Sequence, residues 1–382
     1  MVERAKRVIV AGVATRAMAL SAVRGGYEVV AIDAFGDLDL RAAAEVIALR
    51  RDGGTRFSAL GAARAARQVD AWAAAYTSNF ENHSEAVALL GEGRLLLGNT
   101  PSVLEQIRNP LTLMRALRGR GFAVPATRAS APASALAGRW LSKPRRSGGG
   151  HGTVTWKSGR VPRTAYLQSR IPGVPGSITF LADGRHAVPL GLSRQLVGEA
   201  AFGARGFRYC GSLLAGRGTP LFDRDAEVAA TARALAEAVT AEFGLVGLNG
   251  LDFIATDGVP FPIEVNPRYS ASMELVERAS GFGLFDSHVR ACRGDLLAAP
   301  PPGRAVTGKA IVFARRAVRV GDTRRWQLRN IADIPHTGED IGGGHPICTV
   351  FAEGRDANEC RAKLVKRADR IYRTVETARG AA

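Results

Sequence analysis

The sequence predicts a chain of mixed α/β and α+β class, with a parallel α/β domain first and antiparallel sheets after it. Over the first hundred residues, short runs of Val, Ile, Leu and Ala alternate with segments of helical periodicity. After Pro125 the strands become shorter and the turns between them are dense in glycine. The chain has 382 residues and is 46% hydrophobic. This length corresponds to roughly two or three domains that each bury a core.

The first two strands and the helix between them form one unit. Residues 8–12 are a buried-strand run, residues 15–24 have helical periodicity, and residues 28–33 are a second strand that ends in an acid. This order predicts parallel strands joined by a right-handed crossover. The turn at Gly12 lacks the second and third glycines of the G-x-G-x-x-G fingerprint, which argues against a bound dinucleotide.

Further elements follow from periodicity, Pro and Gly positions and apolar runs. We expect a strand at 95–97, helices after Thr100-Pro101 and Asn109-Pro110, a helix over 223–243, strands at 310–313 and 348–351, and a helix over 357–376. The segment 297–303 contains three consecutive prolines and a glycine. Such a stiff segment predicts a domain boundary.

The charge of the chain is strongly basic, with 52 Lys+Arg against 35 Asp+Glu and a net charge of +17. The basic residues occur singly or in pairs, without a long basic run or interleaved aromatic residues, which argues against nucleic-acid binding. The positive charge is better suited to attracting anionic small molecules.

The four cysteines are widely spaced in the sequence, which argues against a disulfide scaffold and against a structural zinc site. No apolar run reaches the roughly 18 residues of a membrane span, so we expect a cytoplasmic protein.

A lysine followed by a cluster of glycines is the first candidate site. Lys143 ends a predicted strand, and the loop after it contains Gly148, Gly149, Gly150, His151 and Gly152. Backbone N–H groups of such a loop can surround a polyphosphate while the lysine meets its charge. The lysine precedes the glycines, so this is not a Walker A loop. The alternative is a mobile surface hairpin.

A predicted hairpin over residues 249–268 is the second candidate site. If its turn at Asp257-Gly258 is a three-residue turn with a glycine bulge, Asp252 lies opposite Glu264. The strand period of two then places Asn266 on the same face. Two carboxylates and an amide oxygen suit Mg²⁺. The alternative is that the acids are solvated strand residues paired with arginines.

A Pro/Gly corner after a strand is the third candidate site. It contains Gln168, Ser169, Arg170 and Ile171, and a second strand follows it. Backbone groups left free at such a corner can read a flat heterocycle by hydrogen bonds.

Taken together and in this order, the three segments resemble the ATP-grasp superfamily over roughly residues 110–281. The resemblance implies a pre-ATP-grasp α/β domain, a two-lobed ATP-grasp fold that holds ATP between antiparallel sheets, and a small C-terminal α+β extension. The implied domains are 1–108, 109–166 with the glycine-rich loop, 167–302 with the metal site, and a biotin-carboxylase-C-like extension at 303–382.

Residue roles carried over from this resemblance are as follows. Lys143 contacts the α- and β-phosphates, and residues 148–152 cover the γ-phosphate. Gln168, in place of the more usual Glu, and Arg170 belong to the nucleotide site, where backbone groups of Ser169 and Ile171 hold the adenine. Asp252, Glu264 and Asn266 bind two Mg²⁺, which Mn²⁺ can replace, and Arg268 stabilises the acyl-phosphate. Asn109-Pro110 stands where an adenine-side lysine is often found, which bears on nucleotide preference.

The implied activity is that of a carboxylate–amine ligase. Arg16 and the segments 33–37 and 76–81 look most like the carboligase-related branch, which includes the tyramine–glutamate ligase of methanofuran biosynthesis. The resemblance thus implies small-molecule carboxylate and amine substrates, with neither nucleic acid nor membrane as partner, and a homodimer. Candidate substrate contacts are Arg16 for a carboxylate, Glu81 for an amine, and Ser270; the alternative for Arg16 and Glu81 is a structural surface charge.

Two other activities stay open. The C-terminal segment from Lys309 to about residue 352 is similar to part of the C-terminal region of biotin carboxylase, which suggests bicarbonate-dependent carboxylation. In carboxylases a glutamate base follows the arginine by four residues, whereas this chain has Ser272, and no Met-Lys biotin acceptor occurs in it. A non-catalytic ATP-binding module is the other alternative.

Overall fold

The computed structural model describes residues 6–131, 139–324, 326 and 330–377. Within these residues, the N-terminal part is a parallel sheet in the order β3-β2-β1-β4-β5. Its strands are β1 Arg7–Ala11, β2 Glu28–Asp33, β3 Glu45–Ala48, β4 Ala73–Tyr76 and β5 Leu95–Leu97. Its helices are α1 Arg16–Arg24, α2 Leu38–Arg41, α3 Ala59–Ala66, α4 Ser84–Leu90 and α5 Pro101–Ile107. The parallel pairing of β1 with β2 around α1 confirms the predicted unit.

A small antiparallel sheet follows in the order β6-β9-β7-β8. Its elements are α6 Pro110–Gly119, β6 Thr127–Arg128, β7 Trp140–Pro144, β8 Val154–Trp156 and β9 Ala165–Ser169. Asn109 caps α6, because its side chain accepts the N–H groups of Leu111 and Thr112. The predicted division after residue 166 cuts through β9, so this lobe extends to Ser169.

The largest sheet is antiparallel, with the strand order β14-β13-β10-β11-β12-β15-β19-β17 across the described residues. The strands of this part of the chain are β10 Val174–Asp183, β11 Ala187–Val197, β12 Tyr209–Leu214, β13 Val246–Thr256, β14 Val259–Asn266, β15 Val306–Phe313, β16 Val318–Arg319, β17 Ile331–Ala332, β18 Asp340–Ile341 and β19 Pro346–Gly354. Strands β16 and β18 form a separate pair. Because β15 pairs with β12, the segment after residue 302 continues the central sheet.

Helices cover both faces of this central sheet. They are α7 Asp225–Phe243, α8 Met273–Ser280, α9 Leu284–Ala291 and α10 Ala357–Thr377. Helices α7 and α10 bury their apolar sides in one core, while α8 and α9 pack in another with α1. Helix α7 begins two residues later than predicted, because Asp225 accepts the N–H groups of Leu221 and Phe222 and holds the preceding turn. None of the described helices combines the length and apolar composition of a membrane span.

Candidate active site

The predicted site residues share a cavity of about 1110 Å³, lined by strands of the small sheet and of the central sheet. All but one of them lie on its wall. They are Arg16, Lys143, Gly148, Gly149, Gly150, His151, Gly152, Gln168, Ser169, Arg170, Ile171, Asp252, Glu264, Asn266, Arg268 and Ser270. The other, Glu81, has a side chain that is only 1% exposed. The fold thus brings together three segments that lie far apart in sequence.

Asp252 and Glu264 face each other across the β13–β14 hairpin, as the sequence predicted, but the turn differs. Asp257 and Gly258 form a two-residue turn with positive φ at both positions, the pattern of a type I′ hairpin. The register then shifts by one residue just after Asp252, which leaves Ile263 as an extra residue on β14. The bulge therefore lies beside the site, not at the turn, and it re-aims the strand there.

The side chains of Asp252, Glu264 and Asn266 alternate with the buried side chains of Leu251 and Val265. Asn266 Nδ2 donates to Asp252 Oδ2 at 3.0 Å. Burial, and secondly the negative charge of Glu264, raise the pKa of Asp252 to about 6. Two like charges are held close together in surroundings of low dielectric constant, a strain that a divalent cation would relieve.

This donor set fits Mg²⁺. Carboxylate and amide oxygens are hard ligands, and Mg²⁺ commonly takes one or two carboxylates and completes its shell with water and substrate phosphates. In the described parts of the chain, no three His, Cys, Asp or Glu side chains are grouped so that they could hold a metal. An ion at this hairpin would therefore depend on a bound polyphosphate for part of its coordination.

Arg268 lies beside the carboxylates and is held firmly. Its Nη2 donates to Asn266 Oδ1 at 3.1 Å and to Glu81 Oε1 at 2.7 Å. Burial opposes the charged form, but the carboxylates of Glu81, Glu264 and Asp252 outweigh it and raise the pKa of Arg268. Glu81, predicted as a contact for an amine substrate, instead pairs with Arg268 and is buried; burial opposes its ionised form, but Arg268 lowers the pKa of Glu81. That prediction is therefore not supported by the placement of Glu81.

The glycine-rich loop is fixed against the 206–209 segment. Tyr209 donates its N–H to Gly149 O at 3.0 Å. Gly150 has φ +74°, and a Cβ on it would lie 1.8 Å from Phe207 O, so only glycine permits this approach. A Cβ on Gly148 or Gly149 would meet no atom within 4 Å. Open space on one side and a close backbone contact on the other are suited to a loop that covers an anionic ligand.

Lys143 and Gln168 lie on the neighbouring strands β7 and β9 of the small sheet. Lys143 Nζ donates to Gln168 Oε1 at 3.1 Å. The Gln168 side chain is buried, and its amide keeps the contact without neutralising the ammonium charge. Lys143 thus presents its positive charge at the cavity wall.

The strand end after Gln168 offers fewer free backbone donors than predicted. Ser169 and Arg170 donate their N–H groups to Ala126 O and Arg139 O, both at 2.8 Å. Among the described residues no hydrogen bond occupies the N–H of Ile171. At Ser169 the N–H is therefore excluded as a ligand donor, whereas at Ile171 it is available.

A second group of charged residues lines the cavity near Ser270. Arg16 Nη1 lies 2.6 Å from Glu274 Oε1, and Lys309 Nζ lies 2.6 Å from Glu274 Oε2. Arg16 Nε also lies 2.7 Å from Asp333 Oδ1. The Arg16 and Lys309 side chains are each 5% exposed, whereas that of Asp333 is 29% exposed. Arg16 is thus already paired, which does not fit its predicted contact with a substrate carboxylate, and Asp333 is the more accessible group.

Sequence reasoning missed Arg108, Lys309, Glu274 and Asp333. Arg108 directly precedes Asn109, the residue that caps α6, and its guanidinium lies 3.6 Å from Glu264 Oε2. In an arginine-rich chain, nothing in the local sequence marks a single arginine as part of a functional site. The other three residues lie 35 to more than 250 positions from their partners in the sequence, so only the fold brings them together.

Residues 107–272 match the ATP-grasp domain family. An uncharacterised protein of Methanocaldococcus jannaschii is 30% identical over 115 residues, which are 30% of this chain. The match spans only 28% of that relative's own length.

Solved structures resemble the fold over nearly the whole chain. Biotin carboxylase from Campylobacter jejuni has a TM-score of 0.69 at 14% identity and covers 94% of this chain and 89% of its own. N5-carboxyaminoimidazole ribonucleotide synthetase from Thermus thermophilus has a TM-score of 0.67 at 16% sequence identity, and the match covers 95% of this chain and 98% of the synthetase. L-amino acid ligase from Bacillus licheniformis has a TM-score of 0.65 at 14% sequence identity, and the match covers 97% of this chain and 98% of the ligase. The chain therefore has the ATP-grasp fold.

Proposed function

We propose that this protein is an ATP-dependent ligase that activates a substrate carboxylate as an acyl-phosphate, which an amine then attacks to give an amide, ADP and phosphate. The observation that carries the proposal is the convergence of the Asp252–Glu264 hairpin, Lys143 and the glycine-rich loop on one cavity. Both steps concentrate negative charge between phosphate oxygens, and preorganised cations are what such transition states require.

The nucleotide would lie between the small sheet and the central sheet. In this proposal Lys143 meets the α- and β-phosphates, the loop covers the γ-phosphate, and the Ile171 N–H with the Ser169 carbonyl binds the adenine. The free donor at Ile171 and the open space beside Gly148 support these roles.

Asp252, Glu264 and Asn266 would hold two Mg²⁺, or Mn²⁺ in their place. When bound, these ions neutralise phosphate charge and orient the oxygens of the transfer. Lys143 and Arg268 supply positive charge that is part of the protein itself. Removal of one such partner typically costs about 3–4 kcal/mol of barrier, or about 10²–10³ in rate.

The wall near Asp333 supports an amine as the second substrate. Three carboxylates, those of Glu274, Asp333 and Asp39, surround the two cations Arg16 and Lys309. The group therefore has an excess of negative charge, and Asp333, which pairs with Arg16, is its most exposed carboxylate. A carboxylate attracts a cationic amine and repels bicarbonate. Ser272 offers a hydroxyl where a carboxylase would be expected to have a carboxylate base.

Bicarbonate-dependent carboxylation is the second candidate, favoured by the likeness to biotin carboxylase and to carboxyaminoimidazole ribonucleotide synthetase. Identities of 14% and 16% extend this likeness to the fold only. A binding module without turnover is the third candidate, and the paired carboxylates beside Arg268 argue against it.

The finer proposal is an amide or γ-glutamyl-type bond in the biosynthesis of a methanofuran-like cofactor. It rests on the resemblance of Arg16 and of the segments 33–37 and 76–81 to the branch that contains tyramine–glutamate ligase. Glutamate with tyramine is therefore the first substrate pair to try. We include in this proposal that the protein forms a homodimer. Light scattering tests this by measuring the molar mass in solution.

The deciding experiment is ADP release from ATP and Mg²⁺ with a panel of acids, amines and bicarbonate. ADP that requires both an acid and an amine supports the ligase. ADP that requires bicarbonate supports the carboxylase. Nucleotide binding without ADP under any condition supports the binding module and overturns the proposal.

A further inference from the structure

Arg108 lies at the junction between the N-terminal domain, the glycine-rich loop and the β13–β14 hairpin. It caps the end of α5, where its N–H donates to Leu104 O at 3.0 Å, and α6 begins two residues later. Its backbone is thus fixed from both sides. Its side chain is 12% exposed and lines the cavity.

The guanidinium makes hydrogen bonds to each of these three parts. Nη2 donates to Ser147 O at 3.0 Å, at the start of the glycine-rich loop. Nη1 donates to Val265 O at 3.0 Å, between Glu264 and Asn266. Nε and Nη2 lie 3.3 and 3.0 Å from Asn82 Oδ1, in the N-terminal domain. Only a planar guanidinium group, with its several N–H donors, can reach three acceptors in this geometry.

The loop is also held by hydrogen bonds within itself and by one strand of the central sheet. Between Ser147 and Thr153 it contains four glycines and the exposed His151. Ser147 Oγ donates to His151 O at 2.6 Å, and the His151 N–H donates to Gly148 O at 3.2 Å. Gly149 O accepts the N–H of Tyr209, on β12 of the central sheet, at 3.0 Å. A Cβ on Gly148 or Gly149 would meet no atom within 4 Å. The bond from Arg108 to Ser147 O therefore holds the loop at its start, directly before its two most open residues.

We propose that Arg108 is a positioning residue that holds the glycine-rich loop above the Asp252–Glu264 pair and ties this arrangement to the N-terminal domain through Asn82. The inference deepens the proposed function and rests on it, because it assigns the loop to the phosphates of the nucleotide. The guanidinium of Arg108 also lies 3.6 Å from Glu264 Oε2, which helps to keep that carboxylate in place.

The test compares Arg108→Lys, which keeps the charge and loses the planar guanidinium group, and Arg108→Met with the exposed Arg118→Met on α6 as the matched control. We expect both Arg108 variants to lower kcat/KM for ATP by about 10²-fold, the effect of misplacing a reacting group by about 1 Å. The loss should fall on kcat and on KM for ATP, and leave KM for the amine within twofold. A Lys variant with the kcat/KM of the unmodified protein overturns the inference, as does an equal rise in KM for all substrates.

A second readout does not depend on turnover. Arg146 is exposed and directly precedes Ser147, so trypsin cleavage after Arg146 reports on the freedom of the loop. A non-hydrolysable ATP analogue with Mg²⁺ should slow this cleavage in the unmodified protein and in Arg118→Met, but in neither Arg108 variant. Equal protection in all four proteins overturns the inference. If the analogue protects the loop but no substrate panel yields ADP, the ligase proposal fails while the role of Arg108 stands.

Discussion

Arg268 Nη2 donates to Glu81 Oε1 at 2.7 Å, which joins the end of the β13–β14 hairpin to the N-terminal domain. Both side chains are buried, with exposed fractions of 9% and 1%. The pair thus positions a cation beside Asn266 and compensates a carboxylate that has almost no access to water. Its catalytic and structural contributions can be separated by mutation.

Arg268→Met should destabilise the protein by about 3–5 kcal/mol, because it leaves the Glu81 charge buried and unpaired. Combining it with Glu81→Gln should restore most of the free energy of unfolding but none of the ADP formation. Urea unfolding and an ADP assay on the same samples measure the two effects. Recovery of activity in the double variant would show that Arg268 has no role in the chemistry.

Glu264→Gln should lower ADP formation by at least 10²–10³-fold, because it removes one of the two carboxylates that would hold Mg²⁺. The change keeps the size of the side chain, so the melting temperature should change little. Glu92→Gln, at a side chain that is 60% exposed, is the matched control. Turnover of Glu264→Gln near that of the control would contradict the metal assignment.

Asp333→Asn should raise KM for the amine while KM for ATP stays within twofold. Asp333 has φ +54°, and its N–H is held by Asp39 Oδ2 at 3.0 Å, so asparagine can keep the backbone. The change removes the negative charge that would attract a cationic substrate, and with it the ion pair between Asp333 and Arg16. Steady-state kinetics with each substrate varied in turn measure this. A rise in KM for ATP alone would place Asp333 in a different role.

His288 should make the stability depend on pH. Burial lowers the pKa of His288 to about 4, against about 6.5 in the unfolded chain. The neutral ring accepts the Leu248 N–H at 2.9 Å and lies 3.2 Å from Leu97 O. Because the folded state resists protonation, stability present above pH 6.5 is lost as the pH falls toward 4.

Between pH 7 and pH 5 this loss amounts to about 2 kcal/mol. His288→Gln should remove that part of the pH dependence, whatever the other groups contribute. Urea unfolding of both proteins at several pH values measures the difference. Parallel pH profiles for the two proteins would show that His288 is not buried in its neutral form.

The sequence predicted those features that depend on local pattern. The unit of β1, α1 and β2 follows from apolar runs and their spacing, and the start of α6 follows from the Asn109-Pro110 pair. The opposition of Asp252 and Glu264 was also predicted, although the compensating bulge at Ile263 was not. A two-residue turn alone would have placed Glu264 one position out of register, so two local details combined to give the predicted pairing.

What the sequence did not predict depends on contacts between distant segments. Arg16 and Glu81 were candidate substrate contacts because the sequence does not identify their partners. In the fold, Arg16 pairs with Glu274 and Glu81 pairs with Arg268. The continuation of the central sheet through β15 was hidden because sheet neighbours need not be sequence neighbours. Arg108 was missed for the same reason, since its three acceptors come from three separate segments.

The most direct test of the central claim is oxygen transfer from the acid substrate. In an acyl-phosphate mechanism a carboxylate oxygen bonds to the γ-phosphorus, and attack by the amine breaks the bond between carbon and that oxygen. With a carboxylate fully labelled with ¹⁸O, mass spectrometry should therefore find one ¹⁸O in each phosphate released with ADP. Unlabelled phosphate formed together with ADP and amide would contradict activation of the carboxylate by ATP.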